Sequence, residues 1–395
     1  MSVISRYILA DLIGWFVIFV VGLTLLMVVL LVGQEAWRMN LGLAPTLRLI
    51  PFLLPTALVF AVPGTILFTV CLVYGRMSAD NEVTAAKAAG VSPMALLWPA
   101  YGLAFLLSLV AVCLNDLAYS WGQAGMQRVI LQSVEEITYG TLRTQRSFAT
   151  SKFSIIVKRV EGRQLILPTM RFQPSDDAPE LTLTARVAEL RSNLDRGTLS
   201  LILEDCEIDR DNGLHGVIPG TTIHEIPLRF ASSRELKEDS PTQLPMSSFY
   251  DETIAQQATI HRLEQALAAE AGMALMTGDF HSLSEATWKP RRKTLADART
   301  RLSRLQTEPW RRWASGFSCL CFVMVGAPLA ILWRRADVMT TFFVCFFPIL
   351  IVYYPLFLVG LDYSKVGSLP PYSVWAANLV LVAIGLGLLR RVIRY

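Results

Sequence analysis

The chain has 395 residues, 53% of them hydrophobic and 17% charged, with a mean hydropathy of +0.44. An ordinary soluble domain carries about 25% charged residues, so disorder is excluded, and the composition is that of a membrane protein with an attached soluble part rather than of a single soluble domain. The formal charge of +4 is unevenly divided: residues 116–312 hold 25 basic and 26 acidic side chains, and the rest of the chain 11 and 6, a basic excess beside apolar segments that fits a topology signal or anionic lipid rather than nucleic acid.

A bilayer-crossing helix needs about 20 apolar residues. Six uncharged runs qualify: 12–34, 49–75, 94–115, 313–333, 338–361 and 366–389. The first reads as an uncleaved span, because its core is too long for a signal peptide and no small-residue cleavage site follows. The second contains Pro51, Pro55 and Pro63, the fourth Pro328, and the fifth Pro348 and Pro355. Those prolines fit helices that bend during a transport cycle, and equally the higher proline content of membrane helices.

Between spans two and three lies RMSADNEVTAAKAAGVSP, residues 76–93. Ser78 is a fair N-cap for a short helix over 79–89. Asp80 and Glu82 fall in its first turn, where carboxylates suit the helix dipole. Gly90 stops it, and Ser92-Pro93 restarts the chain into span three. Alanines at 79, 85, 86, 88 and 89 make this helix slim, and Val83 gives it an apolar contact. Such a helix with an outward carboxylate can enter a groove on a soluble partner; it can also lie at the interface with its charges in water.

Beyond span three, Met126, Val129, Ile130, Val134 and Ile137 recur at helical spacing. The pattern then changes to strands at 153–160, 164–170, 181–190 and 198–206. Leu183, Ala185 and Val187 alternate with Thr182, Thr184 and Arg186, which predicts one buried and one exposed face. Short strands at this spacing suggest a small antiparallel sandwich or roll. Residues 249–310 return to helix, with Ile254, Ile260, Leu263 and Leu267 in one stripe and Leu295, Ala298, Leu302 and Leu305 in another. They read as a polar helical hairpin with a turn at 278–284, either packed on a neighbour or a solvated spacer.

Orientation follows from basic residues in short loops. With a cytoplasmic N-terminus, the inner segments carry Arg6, Arg76, Lys87, Arg334, Arg335, Arg390, Arg391 and Arg394, against Arg38, Arg48 and Lys365 outside. Both termini are therefore expected inside and the polar middle outside. Arg311 and Arg312, just before span four, oppose this count, although the rule is weak in long translocated segments.

Of six cysteines, Cys71, Cys113, Cys319, Cys321 and Cys345 lie in apolar runs and only Cys206 does not, so no disulfide framework is expected. No G-x-x-x-x-G-K-[ST] occurs, so an ATPase site of its own is not expected. The four histidines show no metal spacing, and no G-x-S-x-G elbow is present. No catalytic residue, cofactor or metal is expected.

Gly75-Arg76-Met77, Glu82 and Ala88-Ala89-Gly90 resemble a segment of the LptF/LptG-type permeases of lipopolysaccharide export, also called the YjgP/YjgQ family. DRGTLSLILEDCEI, residues 195–208, resembles that family's strand pair, and GSLPPYSVWAANLVLVAIGLGLLRR, residues 367–391, its final span. The resemblance implies six transmembrane helices in a three-plus-three arrangement around an inserted periplasmic antiparallel β-jellyroll. The organisation expected is 1–115 for spans one to three with a coupling helix at 79–89, 116–245 for the jellyroll-like domain, 246–311 for the hairpin, and 312–395 for spans four to six.

The resemblance also implies a location in the bacterial inner membrane, a second permease subunit, a cytoplasmic ABC ATPase dimer and a periplasmic bridge protein, with lipopolysaccharide or a similar glycolipid as cargo. Glu82 is the position that would meet a basic residue of the ATPase, with Asp80 and Arg76 beside it. Arg38, and second Arg48, are the candidates for contacting lipid phosphates at the outer end of span one; Arg38 could equally anchor its helix at the headgroups. The hairpin is longer than the resemblance leads one to expect. The rival reading is a membrane-anchored receptor or scaffold, which would need a cytoplasmic signalling domain, and no cytoplasmic segment has room for one.

Overall fold

In a computed structural model the described residues are 3–39, 43–126, 128–129, 138–140, 142–143, 146–149, 153–172, 181–193, 198–210, 214–227, 241–278, 285–333 and 338–394. They form two compact units. One comprises 1–29, 53–122 and 241–395, the other 30–52 and 123–240.

The first unit is helical; residues 30–39 and 43–52, at the end of the first helix and the start of the second, belong to the second unit. Helices α1 (Val3–Met39), α2 (Leu43–Ala79), α3 (Glu82–Ala88) and α4 (Pro93–Leu117) come first, and a π-helical turn at Ala118–Gly122 continues α4. After the strands come α5 (Phe249–Thr277), α6 (Glu285–Leu332), α7 (Val338–Pro348), α8 (Tyr354–Val366) and α9 (Ala376–Arg394). Six helical stretches are long and apolar enough to cross a membrane: Val3–Trp37, Pro45–Ala79, Pro93–Met126, Trp288–Leu332, Met339–Val366 and Pro371–Arg394. Each contains most of one of the six runs read from the sequence.

Two boundaries differ from that reading. The helix that carries the fourth run does not start at 313: α6 is one helix of 48 residues that passes through Pro290, Pro309 and Pro328, roughly 70 Å long at 1.5 Å per residue. The sixth run does not start at 366. Gly367 adopts φ +84° and ends α8, and Pro370-Pro371 opens a 3-10 turn (Pro371–Trp375) that leads into α9. An L-residue rarely takes that φ, so the chain turns there rather than continuing. The fifth span is interrupted by a π-helical turn at Ile349–Tyr353, between Pro348 and Pro355, where prolines leave carbonyls without a helical donor.

α6 packs against α4 and α9 at close crossings made by small residues. A Cβ on Gly316 would lie 2.4 Å from Val112 Cγ2, and one on Gly385 would lie 2.8 Å from the Met324 carbonyl oxygen. Asn378 Nδ2 donates to the Ala314 carbonyl at 2.8 Å, and the Leu320 amide to Ser108 Oγ at 3.1 Å. These are the contacts expected where packing, rather than water exclusion, holds helices together. Elsewhere apolar side chains remain outward, among them Val17, Ile18, Val21 and Leu25 on α1 and Phe343, Phe347 and Leu358 on α7 and α8.

The second unit contains an eight-stranded antiparallel half-barrel, in which β6 (Leu181–Asn193), β7 (Thr198–Arg210) and β8 (Leu214–Pro227) are the long strands. The short strands are β1 (Ser147–Ala149), β2 (Phe153–Ile156), β3 (Arg159–Glu161), β4 (Gln164–Ile166) and β5 (Thr169–Phe172). The two runs read as single strands at 153–160 and 164–170 are thus each broken in two. Leu167 takes φ +50°, and its amide donates to the Arg186 carbonyl at 3.0 Å. One edge of β6 therefore pairs first with β5 through Leu181–Thr184 and then with β4 through Val187–Glu189.

The alternation along β6 slips at the same place. Leu183 and Ala185 are buried as predicted, but Ala188 and Leu190 follow them inward and Val187 is only half-buried. Opposite, Asp205 sits at φ +52° in a bulge between β7 and β8. The extra residue there lies on β8, between Ile218 and Thr221. Strands β6 and β7 stay in register and change phase together, with Ala185 facing Cys206 and Ala188 facing Leu203. Arg186 Nε holds Asp205 Oδ2 at 3.0 Å across the irregularity. The core beneath is made of Ile155, Val157, Leu165, Met170, Leu201, Leu203 and Cys206, with Tyr139 and Leu142 from the preceding segment. The Tyr139 hydroxyl accepts from the Leu190 amide at 2.9 Å and donates to the Arg163 carbonyl at 2.6 Å.

Candidate coupling and lipid-contact residues

The segment between α2 and α4 is built around a break. The sequence predicted a helix over 79–89 capped by Ser78. Instead α2 runs to Ala79, and buried Ser78 donates its hydroxyl to the Ile331 carbonyl of α6 at 3.0 Å. A side chain committed to that tertiary acceptor does not cap the next helix. Asp80 and Asn81 make the turn, with Asn81 at φ +58°, a conformation asparagine tolerates better than most residues. α3 is therefore seven residues long. Gly90, at φ +79°, ends it as its sequence suggests, and Ser92 Oγ accepts from the Met94 amide at the start of α4.

The inner side of α3 is fixed. Val83 is 2% exposed within a core that includes Ile8, Leu12, Tyr74, Met77 and Val392. Lys87 Nζ donates to the Val392 carbonyl near the end of α9 at 3.0 Å. A lysine there also suits the negative end of the α9 dipole. The outer side is Glu82, Thr84, Ala85, Ala88 and Ala89, all exposed. Glu82 is the first residue of the helix, and Asp80 is exposed beside it.

Arg76 has a different environment from its two acidic neighbours in sequence. Its Nη2 lies 2.6 Å from Asp11 Oδ2, pinning the end of α2 to α1. With side chains 43% and 23% exposed, such a pair contributes about 0–1 kcal/mol. The signal was present in the sequence, since Asp11 is the only acidic residue before position 35, next to the first apolar run. Arg48 is exposed on α2. Arg38 belongs to the last turn of α1, and its side chain lies outside the described residues.

One polar cluster went unread in the sequence. Arg312 is fully buried on α6, where it bonds Asp116 at the end of α4 and donates to the Thr242 and Leu244 carbonyls at 3.0 and 2.7 Å. Asp116 also accepts from the Met246 amide at 2.9 Å. Arg311 pairs with buried Glu308 at 2.7 Å and covers the Tyr119 ring at 4.4 Å, and Thr242 Oγ1 donates to Glu308 at 3.2 Å. The two arginines that opposed the orientation count are thus neutralised tertiary contacts, not free loop charges.

Among the described residues no group of three or more His, Cys, Asp or Glu side chains could hold a metal ion. The family described as the lipopolysaccharide export system permease LptF/LptG matches residues 6–391. No curated protein matches the chain. With six helices of membrane-crossing length and a match over nearly its whole length, the chain is a multi-pass membrane protein that belongs to the LptF/LptG family of lipopolysaccharide export permeases.

Proposed function

We propose that the protein is one permease subunit of an ABC-type exporter of lipopolysaccharide or a closely similar glycolipid, and that the outer face of α3 is where a separate cytoplasmic ATPase dimer engages it. The observation that carries this reading is the two-sided anchoring of α3. Val83 and Lys87 tie it to the helical core, while Glu82 and the small residues Ala85, Ala88 and Ala89 face outward. A partner that moves α3 would therefore pull on α9 through the Lys87 contact. Glu82 is the residue for a basic side chain of the ATPase; Asp80 adds charge next to it, and Arg76 acts from behind by fixing the end of α2.

In this reading the protein sits in the bacterial inner membrane with both termini cytoplasmic, three spans on either side of a periplasmic jellyroll-like domain. A second permease subunit completes the lipid path, and the half-barrel passes the lipid to a periplasmic bridge protein. Arg38 and Arg48 are the basic residues proposed to contact lipid phosphates, for which a guanidinium fork is suited. The protein supplies no nucleotide site of its own.

The test is affinity purification of the tagged full chain from its own host in mild detergent. An ABC ATPase and a second six-span subunit are expected in near-stoichiometric amounts. Glu82→Arg should remove the ATPase by tenfold or more and leave the second permease. An ATPase retained at wild-type level in that variant would overturn the assignment of Glu82.

A further inference from the structure

The hairpin formed by α5 and α6 divides its charge between its two helices. In α5, Asp251, Glu252, Glu264 and Glu270 are set against Arg262 alone, whereas residues 285–312 carry nine basic and three acidic side chains. Part of this charge is consumed between the two helices. Arg291 bonds Glu270 at 2.6 Å and Arg299 bonds Glu264 at 2.7 Å, and Gln256 Nε2 donates to the Ala298 carbonyl at 2.9 Å. Lys289, Arg292, Lys293 and Arg304 are exposed and make no ion pair among the described residues. The pairing of the hairpin thus leaves a net positive face on α6.

Part of that face forms the wall of a groove. Arg292, Ala296, Arg299, Thr300 and Ser303 of α6 stand opposite Val366 and Gly367 at the end of α8, around a volume of about 570 Å³. The two walls meet at a specific contact. Gly367 needs its positive φ to end α8, and a Cβ there would lie 2.8 Å from Ser303 Oγ. Val366 is also the last residue of a stretch long and apolar enough to cross a membrane. If a bilayer's headgroups begin at that end of the stretch, the groove opens among them. Val366 in its wall, and Leu369 and Tyr372 just after it in sequence, are all exposed and would supply an apolar rim.

We propose that this groove binds the phosphate headgroup of an anionic glycerophospholipid from the surrounding bilayer. Arg292 supplies an uncommitted guanidinium, and Arg299 offers the donors that Glu264 leaves free, since a guanidinium carries five N–H groups. Thr300 adds a hydroxyl for a phosphate or glycerol oxygen. Charge-assisted bonds from guanidinium to phosphate are the strong members of their class. The volume lies within the range of small-molecule sites, large enough for a phosphate with a glycerol-sized substituent. The acyl chains would descend along the apolar rim. Bound in this way, the lipid holds the outer part of α6, and the hairpin with it, against the membrane surface.

The proposal is tested on the purified, delipidated full chain in detergent, titrated with dioleoylphosphatidylglycerol and separately with dioleoylphosphatidylcholine, and read by native mass spectrometry. The wild type is expected to bind one phosphatidylglycerol clearly more tightly than any phosphatidylcholine. Arg292→Gln should weaken that binding about fivefold or more, and Arg292→Lys should keep most of it. Arg304→Gln removes the same charge from the same helix away from the groove, and should bind as wild type. A photoactivatable phosphatidylglycerol should label peptides covering 292–303 or 363–372 in the unaltered protein, so a variant that misfolds does not decide the matter. Equal affinity for the two lipids, wild-type binding by Arg292→Gln, equal loss in Arg304→Gln, or labelling confined to other peptides would each overturn the proposal. Displacement of the lipid by millimolar inorganic phosphate would also overturn it, by making the groove a site for soluble anions.

Discussion

Buried charge separates the residues of this protein more sharply than sequence position does. Arg312 and Arg76 both pair with an aspartate, but Arg312 is sealed from water and Arg76 is not. Asp116 is 34% exposed, so deleting Arg312 chiefly leaves the Thr242 and Leu244 carbonyls without their donor and a hole at a fully buried position, whereas an exposed pair is worth about 0–1 kcal/mol. Arg312→Ala should therefore lower thermal stability in detergent severely, and Arg76→Ala hardly at all; similar melting temperatures for the two variants would contradict the assignment. Cys206 offers a second check. Burial pushes its thiol up from the ordinary value, and the Glu207 carboxylate adds to the shift. Since the thiolate is the reactive form, maleimide labelling of Cys206 at pH 7–8 should be far slower in the folded protein than after denaturation. The raised value also means that this thiol favours folding below its unfolded pKa and loses that contribution as pH rises above it. These residue-level facts were largely illegible in the sequence: Asp116 and Arg312 are 196 positions apart, and nothing local distinguishes a sealed arginine from a loop charge.

At the scale of elements, the apolar runs were legible because a lipid-facing helix has to be uncharged along its length, and that requirement is local. Their ends were less so. Ser78 looked like a cap because the capping pattern is a local motif, but the Ile331 carbonyl competes for its hydroxyl. The slip in β6 was hidden because it is shared with β7, where Asp205 adopts a positive φ opposite Arg186, and nothing in the β6 sequence records its partner's backbone. The continuity of α6 through Pro309 was hidden because proline ordinarily marks a boundary, and packing on α4 and α9 overrides that tendency. The α4–α6 crossing makes a direct prediction. Gly316→Leu has no room beside Val112 and Ser108, so it should reduce the folded yield in membranes to a small fraction of wild type. A Cβ on Gly387 meets nothing within 4 Å, and Gly387→Leu should be tolerated. Equal yields of the two variants, by fluorescence-detected size exclusion, would contradict the close crossing.

For the whole molecule, the family match and the six apolar helices establish a lipopolysaccharide export permease in a membrane; the coupling route is the part to be tested. As proposed, it would run from Glu82 on the outer face of α3 through Val83, which packs in the core, and Lys87, which bonds the Val392 carbonyl near the end of α9. Interrupting the route behind the docking face should act differently from interrupting the face itself. Lys87→Ala is expected to retain the ATPase in the purified complex but to lower export several-fold, while Glu82→Arg loses both. The most direct measurement is ATP-dependent release of lipopolysaccharide from proteoliposomes that contain the complex purified from its own host. Release should require ATP, fail with Glu82→Arg, and return when the carboxylate is restored. Release that proceeds without ATP, or that continues undiminished in Glu82→Arg, would contradict this coupling route.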